Sequence, residues 1–278
     1  MRINIRIIAI LVLWTCAGLG CSGSSPVSNA AVYNPPERIV VFRPTFEGHT
    51  QRPLRYHPEG TDFVIENGQE SFNRPLYGGN TAFRVDAGDR PEFSLYLPGL
   101  GGNLRLGMRT ATKMIWLFEA DKVISRYRAG SMVYEIYDAS LGDGVLEVTV
   151  TATYSVEGLV GSIELHGQPK QPVEIVIAFG GANGKKGKRN GDIGCESEPV
   201  SEFFRLRPEY CKGNRFSIQD NTFILQSKPA TFSGVLPQGA KLSVCDAIKW
   251  GSLKDLLAGG DKTTDTPVLA GYAVLSAE

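Results

Sequence analysis

Two acids placed either side of a bond can serve as acid and base, and Asp86-Ala87-Gly88-Asp89-Arg90-Pro91-Glu92 sets three acids within seven residues. Glycoside hydrolysis needs such a pair. Asp138 and Asp143 form a second candidate pair. Spacing along a turn does not show convergence, and the plainer reading is a polar hairpin in which Asp89 makes a local turn hydrogen bond. The three histidines, His49, His57 and His166, have no Ser or Cys arranged nearby as a nucleophile, and no G-x-S-x-G occurs. The loop Gly180–Arg189 holds four glycines and four basic residues. Its spacing fails the phosphate-loop pattern, and no helix follows to receive a phosphate. It reads as a solvated basic loop, with contact to an anionic glycan as the alternative. No C-x-x-C or H-x-x-x-H spacing exists, so neither a zinc site nor any other cofactor is expected.

Flat rings stack on the apolar faces of sugars while polar neighbours bind hydroxyls. Tyr77, Tyr96, Trp116, Tyr127, Tyr134, Tyr137 and Trp250 are the candidates, with core packing as the ordinary role for each. The stretch Phe72-Asn73-Arg74-Pro75-Leu76-Tyr77-Gly78-Gly79-Asn80 is polar and aromatic together. It enters a strand whose outward side is Asn80, Ala82, Arg84 and Asp86. Tyr77, Asn80 and Arg84 are therefore the expected carbohydrate-binding residues.

Strands must position these groups. In residues 146–154, Leu146, Val148, Val150, Ala152 and Tyr154 share one face, and Glu147, Thr149, Thr151 and Thr153 share the other. Leu159–Leu165 returns after a turn, which makes a hairpin. Similar alternation marks residues 83–86, 93–97, 132–137 and 173–179, and the last run is apolar enough to be central. Weaker strands are expected at 38–42, 62–66, 103–107, 114–118, 122–128, 222–227, 231–236 and 267–275. One short helix is expected near the C-terminus, where Ser252 caps Leu253, Leu256 and Leu257 and Gly259-Gly260 stop it. The fold class is all-β: a large antiparallel β-sandwich with one short C-terminal helix, in a single domain over 38–278.

The chain has 278 residues, with 29 basic and 29 acidic side chains. Zero formal charge removes the basic field of a dedicated nucleic-acid binder. Arg2 and Arg6 precede Ile7–Leu19, thirteen residues without a charge. That is shorter than the about 20 apolar residues that span a bilayer and suits a signal peptide over 1–20. Gly20-Cys21 resembles a lipobox, so Cys21 is the expected lipid attachment and 21–37 a tether. Cleavage after Ser28-Asn29-Ala30 is the alternative. Removing 1–20 leaves 27 basic against 29 acidic groups, or −2. Export brings oxidising conditions. Cys195 and Cys211, 16 positions apart, could then form a disulfide or stay as two thiols, whereas Cys245 reads as a small core residue.

The run from Phe72 to Asp89 resembles the signature of an uncharacterised domain found in large exported proteins of glycan-degrading Bacteroidota. Pro98-Gly99-Leu100-Gly101-Gly102-Asn103-Leu104, Gly191–Cys195 and Pro208–Lys212 resemble further pieces of it, and the similarity extends from about Leu54 towards the C-terminus. In that family the domain resembles the N-terminal β-sandwich that precedes an (α/α) six-hairpin toroid in glycosidases. The resemblance implies polysaccharide breakdown as the setting and carries over no catalytic residue. Residues 38–278 leave no room for the toroid. The expectation is a glycan-utilisation accessory domain that docks on a separately encoded toroid. Its other partners would be polysaccharide or oligosaccharide, including anionic forms, and a membrane through the lipid anchor alone. Its place would be the periplasm or outer membrane of a Gram-negative bacterium. The alternatives are a free-standing carbohydrate-binding lipoprotein and an autonomous glycoside hydrolase using paired carboxylates.

Overall fold

A computed structural model of the chain describes residues 7–14, 54–79, 82–97, 100–169, 171–182, 200–258, 260 and 264–275. The expected strand at 38–42 lies outside these residues. The described strands fall in one compact unit made of residues 1–16 and 56–278.

The architecture is two stacked antiparallel sheets. The first sheet contains β1 (Ile7–Trp14), β2 (His57–Glu59), β3 (Asp62–Glu66), β9 (Lys122–Arg128), β10 (Ser131–Tyr137), β11 (Val145–Ala152), β12 (Gly158–His166), β14 (Arg215–Gln219), β15 (Thr222–Gln226) and β16 (Thr231–Val235). Its order is β14-β15-β16-β1-β12-β11-β10-β9-β3-β2. The second sheet contains β4 (Arg74–Leu76), β5 (Arg84–Ala87), β6 (Glu92–Leu97), β7 (Leu100–Arg109), β8 (Met114–Trp116), β13 (Val173–Gly180), β17 (Lys241–Asp246) and β18 (Pro267–Leu275). Its order is β17-β18-β13-β7-β6-β5-β4, with β8 pairing β7.

The expected hairpin is present as β11 and β12, with Leu146 opposite Leu165 and Val148 opposite Ile163. Leu146, Val148 and Val150 are fully buried, and Glu147, Thr149 and Thr151 reach partly into solvent. This is the period-two signature of a half-buried strand. Tyr154 departs from its expected face and is almost fully exposed. The strand ends at Ala152, and the side-chain alternation ends with it.

β13 lies between β18 and β7, as its apolar run requires. Val173, Ile175, Ile177 and Phe179 join the core between the sheets. Val176 and Ala178, on the other face, are buried too, against Trp116, Trp250, Leu253, Leu256, Val268 and Ala270. A third, partial layer therefore covers the outer face of the second sheet. It consists of 3₁₀ turns at Pro208–Cys211 and Ala247–Gly251 and of α1 (Leu253–Leu257). The Ser252 side chain accepts from the Asp255 backbone N–H at 3.3 Å, as the capping pattern predicts. A helix of five residues has no stability of its own. Burial of Leu253 and Leu256 holds it on the sheet.

Ile7–Trp14, the expected signal core, forms β1. Ile7 is opposite Ile163 and Leu11 opposite Leu159, while Leu13 pairs with Phe232 of β16. All eight residues are apolar. An uncharged apolar run of that length fits a sheet interior as well as it fits an h-region, so its pattern does not separate the two.

Candidate functional site

Residues directly opposed in an antiparallel ladder share a face. Asp86 is opposite Ser94, Ser94 opposite Asn103, and Asn103 opposite Gly180. In a neighbouring row Glu92 is opposite Arg105, and Arg105 opposite Ala178. Ala178 packs under the third layer, so both rows lie on the outer face of the second sheet. This face is not open to solvent as the sequence implied. Phe72, Tyr96, Phe203 and Phe204 form a buried aromatic cluster on it, and the Asn103 amide donates to the Phe204 carbonyl.

The expected carbohydrate triad is placed as follows. Tyr77 is half exposed. Arg84 pairs with Asp86, Nε to Oδ2 at 3.0 Å, and stacks 4.8 Å from the Tyr96 ring and 5.2 Å from Phe204. Burial works against the Arg84 charge, but the Asp86 carboxylate and the Tyr77 hydroxyl outweigh it and raise its pKa. Tyr77 and Arg84 are therefore brought together; Asn80 lies outside the described residues. Arg84 serves the aromatic cluster and a buried acid. Asp86 itself is pushed up to about 7 by burial, against the pull of Arg84.

Asp89 and Asp138 have structural partners, and Asp143 is exposed. Asp89 accepts from Tyr56, from the Glu70 backbone N–H at 3.1 Å and from Asn73 at 3.3 Å, which ties residues 68–73 to the sheet. Asp138 accepts from Ser140 and pairs with Lys113; burial alone would raise its pKa, but these partners lower it. Among the ring candidates, Tyr134 and Trp116 are buried, and Tyr137 donates to Glu135 at 3.0 Å. His57 pairs with Glu59 at 2.9 Å, and His166 ends β12. The basic loop at 183–189 and the lipid-attachment candidate Cys21 lie outside the described residues. So does Cys195. Cys211 is a buried free thiol, pushed up to about 12 by burial.

The built site joins two sequence candidates, Glu92 and Trp250, to Arg105, which no motif marks. A recess of about 190 Å³ opens on the outer face of the second sheet. Its centre is Arg105. Arg105 Nε meets Glu92 Oε1 at 2.8 Å, and Nη1 donates to the Trp250 carbonyl at 3.1 Å. Its guanidinium carbon lies 5.3 Å from the Trp250 ring, 5.5 Å from Phe118 and 5.6 Å from Trp116. Ser71 donates to the second Glu92 oxygen at 3.1 Å. Phe118 and Trp250 form an aromatic wall, and Arg90 and Arg205 border the same space. One sequence signal was available. Arg105 stands between Leu104 and Leu106, and a charge inside an apolar strand needs a partner.

The fold is an all-β sandwich with a third, partial layer and an arginine–aromatic recess on one sheet face. The chain belongs to the family described as "Domain of unknown function (DUF4450)", whose profile matches residues 97–278. That span includes the blocks at 98–104, 191–195 and 208–212; the block at 72–89 precedes it. No curated protein matches the chain.

Proposed function

We propose that this protein is an exported, lipid-anchored accessory domain of glycan breakdown that holds a saccharide in the Arg105 recess. The observation that carries this reading is the wall of Phe118 and Trp250 beside Arg105, Glu92 and Ser71. Rings beside fixed donors and acceptors are what sugar recognition requires. The lipobox-like Gly20-Cys21 and the resemblance to domains of exported glycosidases support the setting.

Docking on a separate toroid has less support. Such a surface calls for a broad exposed apolar patch. On the second sheet, α1 and the 3₁₀ turns cover part of the outer face, and the exposed Val274 there is opposite Glu174. On the first sheet, exposed Ile224 is opposite Ser217 and Ser233, and exposed Val235 is opposite Thr222.

The test is affinity electrophoresis and calorimetry of the full chain across plant and host polysaccharides, with Trp250→Ala as comparison. Retardation by a glycan that Trp250→Ala abolishes supports the reading; no retardation by any glycan overturns it. Labelling with a clickable fatty acid, wild type against Cys21→Ala, tests the anchor, and equal labelling removes it.

A further inference from the structure

The recess is short of negative charge. Three arginines border it, Arg90, Arg105 and Arg205, against the single carboxylate of Glu92. Two acids outside the lining offset part of this charge. Glu202 Oε1 meets Arg205 at 3.3 Å and its Oε2 meets Arg207 at 3.5 Å, and Glu119 accepts from the Trp116 backbone N–H at 2.9 Å.

Arg105 is the anchor of this imbalance. Glu92 takes its Nε and the Trp250 carbonyl takes one terminal nitrogen. Its Nη2 has no hydrogen-bond partner among the described residues. Burial lowers the Arg105 pKa; Glu92 and then Glu119 work against this, and the like charge of Arg205 adds to it last. A partly exposed guanidinium with a donor to spare can take a planar or tetrahedral oxyanion. Arg90, 5.4 Å from the Phe118 ring, and the exposed Arg205 stand where they could reach the same anion.

We propose that the recess binds the acidic group of a charged sugar, a uronate carboxylate or a sulfate ester, with Arg105 at its base and Arg90 and Arg205 at its rim. The volume suits this. At about 190 Å³ it is smaller than the ~300–1,000 Å³ of pockets that enclose a whole drug-sized ligand. It matches one sugar unit presenting its charged end. This inference rests on the saccharide-binding reading and names the class of saccharide.

The experiment is calorimetry of the full chain at low ionic strength with oligogalacturonate, a sulfated oligosaccharide, a neutral gluco-oligosaccharide of matched length, and inorganic sulfate. The variants are Arg90→Ala and Arg205→Ala, both in partly or well exposed side chains, with circular dichroism to confirm folding. At least one acidic oligosaccharide is expected to bind tenfold or more tightly than the neutral one. Each variant should weaken that binding several-fold, and added salt should weaken it further. Equal or tighter binding of the neutral oligosaccharide overturns the inference while the saccharide reading stands. Acidic binding unmoved by both variants also overturns it, by placing the anion elsewhere. Inorganic sulfate bound as tightly as the acidic sugars overturns it too, as a plain anion site. Silence from all probes overturns both readings.

Discussion

Glu92 and Arg105 are direct register partners across the β6–β7 ladder and are joined by an ion pair of 2.8 Å. The Glu92 side chain is 6% exposed and that of Arg105 22%, so the pair sits largely out of water. Breaking one half of a buried pair strands the other charge, at a cost of about 3–5 kcal/mol. Glu92→Ala is expected to lose stability in that range by urea denaturation. Glu92→Leu with Arg105→Met should lose clearly less than the single change. A loss under about 0.5 kcal/mol for Glu92→Ala would show that the pair does not hold the recess together.

Asp86 gives the protein a pH dependence of defined sign. Its folded pKa is about 7, raised from 3.8 by burial. The folded state therefore binds this proton more tightly than the unfolded chain does. The stabilisation is fully present below about pH 4 and is lost as pH rises through about 7. Asp86→Asn resembles the protonated form at every pH. The stability of the wild type relative to Asp86→Asn should fall between pH 4 and pH 7, measured by denaturant titrations across that window. Parallel profiles would mean that Asp86 ionises in the folded protein as it does in the unfolded one.

Gly78 is held where only glycine fits. A Cβ there would come within 1.8 Å of the Thr153 carbonyl oxygen, a backbone atom just past β11. The segment after β4 thus packs directly on the far end of the hairpin. Gly78→Ala must push the two apart, and overpacking of this kind costs about 1–3 kcal/mol. Thermal unfolding should shift down by several degrees. An unchanged midpoint would show that the contact yields without strain.

β1 sets the signal-peptide reading of residues 1–20 against the place of Ile7–Trp14 in the sheet. The same apolar residues that read as a signal core stand between β12 and β16. Deleting residues 1–20 removes the ladder partner of both. Amide exchange in Gly158–His166 and Thr231–Val235 is expected to be faster in the shortened chain than in the full one. Unchanged protection of both strands would show that β1 is dispensable to the sheet. Intact mass of protein purified from a lipoprotein-processing host reports whether cleavage occurs.

The strands were legible where one face alone is buried. β11 and β12 alternate because one side meets the core and the other meets water, and that contrast is written residue by residue. β14 and β17 were missed for the opposite reason. β14 is exposed along most of its length, so no apolar stripe marks it, and β17 owes its place to pairing with β18. Asn80 and Arg84 read as outward residues of one strand, with Tyr77 in the aromatic-polar stretch that enters it. The aromatic cover from Phe72, Phe203 and Phe204 turned the Arg84 end of that face inward.

The sequence alone determined an all-β sandwich, its main hairpin and its one capped helix, because these follow from local alternation and capping within a few residues. Tertiary structure alone decided the recess. Glu92 and Arg105 are 13 positions apart, and Trp250 lies 145 beyond Arg105. No spacing rule links them. They meet because an antiparallel ladder aligns the first two, and because burying Trp250, Leu253 and Leu256 brings the C-terminal turn down over that same face.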